Sequence, residues 1–239
     1  MKIILTSAST TIEENKEILS STKFEFILFP TIEFKPIGKK PVNLKGYEWL
    51  VISSRKAYDF LSPLVKPEEL RKIKIAAVGE ATAGYLQEKN IKINFVSSTF
   101  TGEDFAREFG EKFHAMKGKI LRPVSSLAPR GLERILNKFG IEVDTLHLYK
   151  PVCPLYSEEE IKKIKEENFK GIIFASPSTW YNFKRIFKPD YPQFLNGKII
   201  GVIGPTTGKA LEKDGYKKYI MPEKYTLAHL IKKLEGELL

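Results

Sequence analysis

An α/β fold with parallel sheets is predicted by two observations. Short β-rich runs alternate along the chain with amphipathic segments of helical period. The chain also repeats itself: Leu50-Val51-Ile52-Ser53-Ser54-Arg55 is matched by Ile172-Ile173-Phe174-Ala175-Ser176-Pro177, Gly79-Glu80-Ala81-Thr82 by Gly204-Pro205-Thr206-Thr207, and Phe100-Thr101 by Tyr225-Thr226. The offset is 122 at Ser54 and Ser176 and 125 at the two later pairs, which points to two copies of one structural unit. Each matched point is an apolar strand running into a Gly, Ser or Thr turn that opens a helix. Such junctions bind phosphate or carboxylate groups.

In order, the candidate strands are Lys2–Leu5, Phe24–Phe29, Trp49–Ile52, Ile73–Val78, Ile93–Val96, Lys119–Leu121, Glu142–Leu148, Gly171–Phe174, Lys198–Ile203 and Tyr219–Met221, five for each unit. Helix starts are marked between them. Thr101 is a cap followed by Glu103 and Asp104 in the first turn, with Phe105 and Phe109 as a core stripe. Ser176 caps a helix with Pro177 in its first turn, Gly204-Pro205 opens another, and Thr226 precedes the stripe Leu227, Leu230, Leu234. The segment from Lys2 to Phe34 and the segment from Lys119 to Tyr149 both look like strand, helix, strand, so the unit order is A, B, A′, B′. Two pairings are open, tandem (A with B, A′ with B′) or inserted (B with A′, inside A and B′). The proline-containing crossings Glu33–Pro41 and Lys150–Pro154 favour the inserted form. The expected division is an outer lobe of 1–34 plus 154–239, linkers 35–41 and 149–153, and a middle lobe of 42–148.

Composition sets the class. With 42% hydrophobic and 28% charged residues, the 239-residue chain is globular rather than disordered. No apolar run approaches the ~20 residues of a membrane helix. The single Cys153 and the absence of a signal-like N-terminus lead to an expected cytoplasmic protein, with no membrane partner. The net charge of +10 attracts anions in general, but much of it is lysine on helix faces, as in Ile161-Lys162-Lys163-Ile164-Lys165. No nucleic-acid motif accompanies it, so no nucleic-acid partner is expected. There is no phosphate-binding Walker loop and no GxGxxG string, which argues against a nucleotide enzyme.

Together these residues resemble uroporphyrinogen-III synthase. The resemblance is carried by Ile173-Phe174-Ala175-Ser176-Pro177-Ser178, by Ile203-Gly204-Pro205-Thr206-Thr207-Gly208-Lys209-Ala210-Leu211 and by Tyr225-Thr226-Leu227. Ala77-Val78-Gly79-Glu80-Ala81-Thr82 and Gly140-Ile141-Glu142-Val143-Asp144 leading to Leu148-Tyr149-Lys150-Pro151 agree with it, from Lys2 to about Leu234. Two places depart from the family's pattern: Ser54-Arg55 stands where many members have Ser-Pro, and Arg122-Pro123 where many have Arg-Gly. The resemblance implies two flavodoxin-like lobes, each a five-stranded parallel sheet with flanking helices, joined by a two-stranded linker around a cleft. It implies closure of hydroxymethylbilane to uroporphyrinogen III, with loss of water and inversion of the last ring through a spiro intermediate. No cofactor and no metal are implied. The partner is a small-molecule polycarboxylate tetrapyrrole, and a monomer is expected. Two other classes stay open: a cytosolic two-lobed anion-binding or regulatory module without catalysis, and, from charge alone, a nucleic-acid-binding protein.

In open α/β sheets, ligands sit at the carboxyl ends of the strands. The expected substrate-binding residues are therefore Thr6, Ser7, Ser54, Arg55, Lys56, Gly79, Glu80, Thr82, Arg122, Ser176, Pro177, Ser178, Lys198, Gly204, Pro205, Thr206 and Thr207. For each Ser or Thr the plainer reading is a helix cap, and for each Lys or Arg, here also Arg130, solvated surface. Tyr149 matches the family's strand-end tyrosine and is the candidate acid for departure of the substrate hydroxyl. Its counterpart in the repeat is Ile32. His114, His147 and His229 lack metal-ligand spacing and read as structural, and Cys153 has no paired histidine.

Overall fold

The computed structural model describes residues 1–38, 40–99 and 101–238. Lys39 of the predicted linker, Phe100 of the repeat and the terminal Leu239 lie outside the described residues. The strands are β1 (Lys2–Leu5), β2 (Glu25–Leu28), β3 (Glu33–Pro36), β4 (Tyr47–Ile52), β5 (Lys74–Ala77), β6 (Phe95–Val96), β7 (Lys119–Ser125), β8 (Val143–Val152), β9 (Gly171–Phe174) and β10 (Ile199–Val202). They form two sheets, ordered β10-β9-β1-β2 and β3-β8-β7-β4-β5-β6. By compactness the chain divides into Met1–Phe34 with Val152–Leu239, and Lys35–Pro151.

In the first unit β1 pairs in parallel with β2 and β9, and β9 with β10. Alternate residues face opposite sides. Ile4, Ile172, Phe174 and Val202 pack on Trp180, Phe183, Phe187 and Leu211. Ile3, Leu5 and Ile173 pack on Ile12, Leu227, Leu230 and Leu234. Burial on both faces explains why β1 and β9 read as unbroken apolar runs rather than alternating ones. Gly201 suits the close packing of Ile173 and of the helix Leu227–Leu238: a Cβ there would meet Ile173 at 3.2 Å and Leu230 at 3.4 Å, tight enough that both side chains would have to give. The expected fifth strand, Tyr219–Met221, contracts to a single parallel bridge between Gly201 and Ile220. The reason is local. Pro222 has no N–H to continue the ladder, and Lys217 and Lys218 precede it at the sheet edge.

In the second unit β4 pairs in parallel with β5 and β7, β5 with β6, and β7 with β8. One face packs Trp49, Val51, Ala76, Val78 and Ile120 against Phe105, Phe109, Leu132 and Leu136. The helix Gly102–Phe113 begins on the Thr101 cap, whose hydroxyl accepts the Asp104 N–H at 3.2 Å. Starting each sheet at its first strand–helix–strand pair, β1-β2 or β7-β8, gives the same spatial order. It is 2-1-3-4-5, the doubly wound flavodoxin-like order. The second sheet carries β3 as an added sixth strand beside β8, beyond the five expected.

Three strands run longer than the sequence predicts: β4 starts two residues earlier, at Tyr47, and β7 and β8 run well past their expected ends. β7 continues past Leu121 to Ser125, through Pro123. Its register with β4 ends at Leu50↔Leu121, and from Arg122 onward the partners lie on β8. Pro123 therefore falls where the strand has a neighbour on one side, the edge-like position that proline tolerates. β8 continues to Val152, with a register shift between Val124 and Ser125 that sets Ser125 opposite Tyr149 and skips Leu148. Leu148 and Tyr149 are consecutive yet both buried, at 6% exposure, as expected where a bulge breaks the strict alternation of a strand.

Candidate functional site

The carboxyl ends of the first sheet are closed by hydroxyls that mostly bond to their own backbone. Thr6 Oγ1 donates to the Ile173 carbonyl at 2.7 Å. Ser176 Oγ accepts the Thr179 N–H while Thr179 Oγ1 accepts the Ser176 N–H, a reciprocal capping box over the helix Pro177–Ile186. Thr31 Oγ1 donates to the Thr179 carbonyl at 2.9 Å. Ser178 is half-buried beside Pro177 in the same first turn. The third matched turn differs. The helix Pro205–Glu212 starts at Gly204 without a side-chain cap, leaving Pro205 and Thr206 exposed and Thr207 buried. Ser7 Oγ, at the end of β1, is buried without a hydrogen-bond partner among the described residues. Lys198 lies apart from this group, at the amino end of β10. There its Nζ donates to the Phe169 carbonyl at 2.8 Å and sits 4.4 Å from the Phe169 ring centroid.

The second sheet presents a different end. A cavity of about 270 Å³ opens at the carboxyl ends of β4, β5 and β7, lined by Ser53, Val78, Gly102, Glu103, Arg122, Val124, Ser125, Ala128, Pro129, Gly131, Leu132 and Tyr149. β7 and β4 are the strands between which the winding order reverses, the place where doubly wound sheets bind ligands. Ser54 caps the helix Arg55–Leu61, its Oγ accepting the Ala57 N–H at 3.2 Å. Arg55 is exposed with its guanidinium carbon 5.4 Å from the Tyr85 ring centroid, and Lys56 is half-buried. Gly79 begins the helix Glu80–Glu88 at φ +77°, a left-handed backbone that favours glycine, and its N–H donates to Ser97 Oγ at 3.0 Å. Glu80 is exposed and Thr82 buried one turn in. Arg130 is exposed at the start of the helix Gly131–Lys138.

Arg122 is 5% exposed and ion-paired to Glu133. It also donates to the Pro129 carbonyl at 3.3 Å. Glu133 Oε1 additionally accepts the Thr145 hydroxyl at 2.9 Å. Burial pushes the Glu133 carboxyl up. Its own backbone N–H, the Arg122 guanidinium and Thr145 outweigh that and hold it below the ordinary carboxylate value. Tyr149 stacks on Phe60 with centroids 4.6 Å apart and planes at 13°. Burial raises its phenol above the usual value, while a hydrogen bond with Ser54 and the Arg122 charge act in the opposite sense. At neutral pH the phenol keeps its proton.

The cavity thus brings together Arg122 and Tyr149 with the strand end that carries Ser54. Glu133 and Phe60 are the partners that sequence reasoning missed. A signal for Glu133 existed: an arginine directly after the buried run Ile120-Leu121 calls for an acid, and the next helix offers one. Phe60 had none, since its helix reads as an ordinary amphipathic segment.

No helix among the described residues is long and apolar enough to cross a membrane. The family model described as uroporphyrinogen-III synthase HemD matches residues 13–232. A Methanocaldococcus jannaschii protein provisionally assigned as uroporphyrinogen-III synthase is 30% identical over 97% of this chain and 96% of its own length. The uroporphyrinogen-III synthase of Chlorobaculum parvum is 28% identical over 82% of each chain. Among solved structures, the uroporphyrinogen-III synthetase of Helicobacter pylori superposes with a TM-score of 0.73 at 20% identity, covering 100% of this chain and 99% of that one, a likeness of fold. A mutant of the Thermus thermophilus enzyme gives 0.53 at 16% identity, covering 99% and 97%. A match from residue 13 to residue 232, on a fold these synthases share, leaves one conclusion: the chain belongs to the HemD uroporphyrinogen-III synthase family.

Proposed function

We propose that the protein closes hydroxymethylbilane to uroporphyrinogen III with loss of water and inversion of ring D, acting as a lyase of tetrapyrrole synthesis. The observation that carries this reading is the cavity at the β4–β7 reversal, with a protonated, nearly enclosed Tyr149 in its wall. In the first step the hydroxymethyl C–O bond breaks and its electron pair goes to oxygen. That oxygen takes a proton and leaves as water, and the pyrrole nitrogen supplies the electrons that make the azafulvene cation. Tyr149 is the proton donor. The substituted carbon of ring D then bonds to the methylene of that cation to give a spiro intermediate. Its older bond to the methylene on ring C breaks, leaving an azafulvene on ring C. That methylene bonds to the free α-carbon of ring D, and that carbon loses its proton.

The acid has modest work to do, because the pyrrole nitrogen already drives the hydroxyl out. The larger task is to hold ring D so that its substituted carbon, not its free one, reaches the cation. That is catalysis by orientation, and it needs many anchors. The helix-opening turns at Ser54–Lys56, Gly79–Thr82, Ser176–Ser178 and Gly204–Thr207 supply backbone N–H groups and dipole ends for the substrate carboxylates. Because the Ser176 and Thr6 hydroxyls are bonded internally, those turns grip through the backbone more than through the side chain.

The test is direct. The protein is mixed with freshly made hydroxymethylbilane and the oxidised products are separated by isomer. The type III isomer is expected; type I alone, as in the blank, rejects the reading.

A further inference from the structure

Arg122 was expected to pair with a substrate carboxylate, and its surroundings argue otherwise. Its side chain is 6% exposed and that of its partner Glu133 is 11% exposed. The guanidinium already serves Glu133 Oε1 and the Pro129 carbonyl, and its Nε is buried without a partner among the described residues. Glu133 is fixed from the other side by Thr145, which sits opposite Arg122 in the β7–β8 register. The one cation among the described residues of the cavity wall is therefore neutralised and tied down. The rest of the wall is apolar or neutral (Val78, Val124, Leu132, Ser53, Ser125, Tyr149), apart from Glu103 at the mouth, itself exposed and 3.8 Å from Arg107.

We infer that Glu133 is a positioning residue for the reaction: by cancelling and holding the Arg122 charge, it makes this cavity a seat for the uncharged hydroxymethyl end of the substrate and not for a carboxylate. The inference rests on the proposed synthase reaction. Its physical logic concerns charge that develops during the step. When the hydroxyl leaves, the ring it leaves behind is a cation. An unpaired guanidinium in the same low-dielectric wall would oppose that cation. A paired one presents a dipole whose two ends nearly cancel. A free guanidinium would also capture one of the substrate's many carboxylates and draw the wrong group into the pocket. The ring's own carboxylates are then left to groups outside the cavity.

The experiment compares hydroxymethylbilane kinetics of the wild type, Glu133→Gln, and the double variants Arg122→Met/Glu133→Gln and Arg122→Met/Glu133→Leu, each checked by circular dichroism for folding. In Glu133→Gln the guanidinium is released, so kcat should fall at least tenfold, with KM unchanged or lowered. Removing the stranded cation in Arg122→Met/Glu133→Gln should recover part of that loss, a rescue that a purely structural role would not give. Arg122→Met/Glu133→Leu replaces a buried pair by apolar groups of similar size, which such sites commonly tolerate. Its KM should stay within twofold of the wild type. It decides the question even if Glu133→Gln fails to fold. A tenfold rise in KM there would mean that Arg122 holds a carboxylate after all, and the inference falls. It also falls if Glu133→Gln keeps its kcat, or if neither double variant exceeds it. A wild type that yields only the type I isomer would fail the parent reading instead, and the two failures are told apart by that control.

Discussion

The carboxyl ends of the two sheets share a strand order and differ in chemistry. In the first unit the ends of β1 and β9 are dressed with hydroxyls, and those of Thr6, Thr31, Ser176 and Thr179 bond to neighbouring backbone. In the second, the ends of β4, β7 and β8 carry a phenol, a buried ion pair and a cavity. The repeat duplicated the scaffold, and the proposed acid lies where the copies diverge: Tyr149 stands where the first copy has Ile32. The bulge that places Tyr149 opposite Ser125 belongs to the longer β7–β8 pair, whereas β1 and β2 run in regular register over Lys2↔Glu25 to Leu5↔Leu28. Changes in the second unit should therefore alter rate and electrostatics as well as stability, and equivalent changes in the first should alter stability alone.

The largest effect is expected from Arg122→Met. Removing one partner leaves Glu133 buried and unpaired, which costs about 3–5 kcal/mol. The pH dependence should also weaken. In the wild type the Glu133 carboxyl titrates below its ordinary value of 4.5. A depressed carboxyl contributes stability that is present above the ordinary value and is lost as pH falls through the folded one. In the variant only the backbone N–H and Thr145 oppose burial, so the carboxyl rises toward its ordinary value and the loss of stability on acidification shrinks. Urea unfolding at a series of pH values measures both. An unchanged midpoint would show that the pair contributes nothing to the second unit.

Tyr149→Phe should lower kcat by about 10²-fold, the lower end of what a positioned acid supplies. The Phe60 stack survives this change, so the melting temperature should hold. Unchanged turnover would remove Tyr149 from the chemistry and erase the main asymmetry between the units.

The sequence disclosed the repeated scaffold well because strand runs and helix-opening turns are local signals. β1 and β9 came out with correct bounds, since both end where an apolar run meets Thr6 or Ala175-Ser176. The misjudged strands are those whose ends depend on neighbours. β7 runs through Pro123 only because β8 continues beside it, and the Tyr219–Met221 run pairs through Ile220 alone because nothing extends the edge. The site was legible to the same degree. Tyr149 and Arg122 could be picked out by position. Of their partners, Glu133 was signalled only as an acid due on the next helix, 11 residues on, and Phe60 not at all, because its helix lies 89 residues away in sequence and meets Tyr149 only through packing. Lys198 shows the converse: it is a plausible cation in sequence, yet it stands at the opposite end of its strand from the turns.

Ser176→Ala tests the first unit in the same terms. Losing the capping serine should cost about 1 kcal/mol, seen as a melting temperature lower by roughly 2–4 °C for a chain of this size. Because the hydroxyl is engaged with Thr179, KM should change by less than threefold. A tenfold rise in KM with stability unchanged would make Ser176 a side-chain ligand and bring the two units closer in kind.

The smallest effect separates the buried Tyr149 from the half-buried Tyr156. Tyr156, in the first unit, stacks on Phe29 with centroids 4.3 Å apart, and its hydroxyl donates to the Pro30 carbonyl at 2.7 Å. Burial, with Glu33 and Glu160 nearby, pushes its phenol up to about 12. A phenol raised above its ordinary value of 10.0 contributes stability that is complete below that pH and is lost as pH climbs toward the folded value. Tyr156→Phe keeps the stack and loses the hydrogen bond, so it should cost about 1 kcal/mol at neutral pH. The gap between variant and wild type should close as pH rises from 10 toward 12. Isomer yield and kcat should not move, because this phenol's proton is committed to a carbonyl, whereas Tyr149 lines a cavity. If Tyr156→Phe instead slowed turnover as Tyr149→Phe is expected to, enclosure of a phenol would not distinguish catalyst from scaffold, and the assignment of Tyr149 would have to rest on the cavity alone.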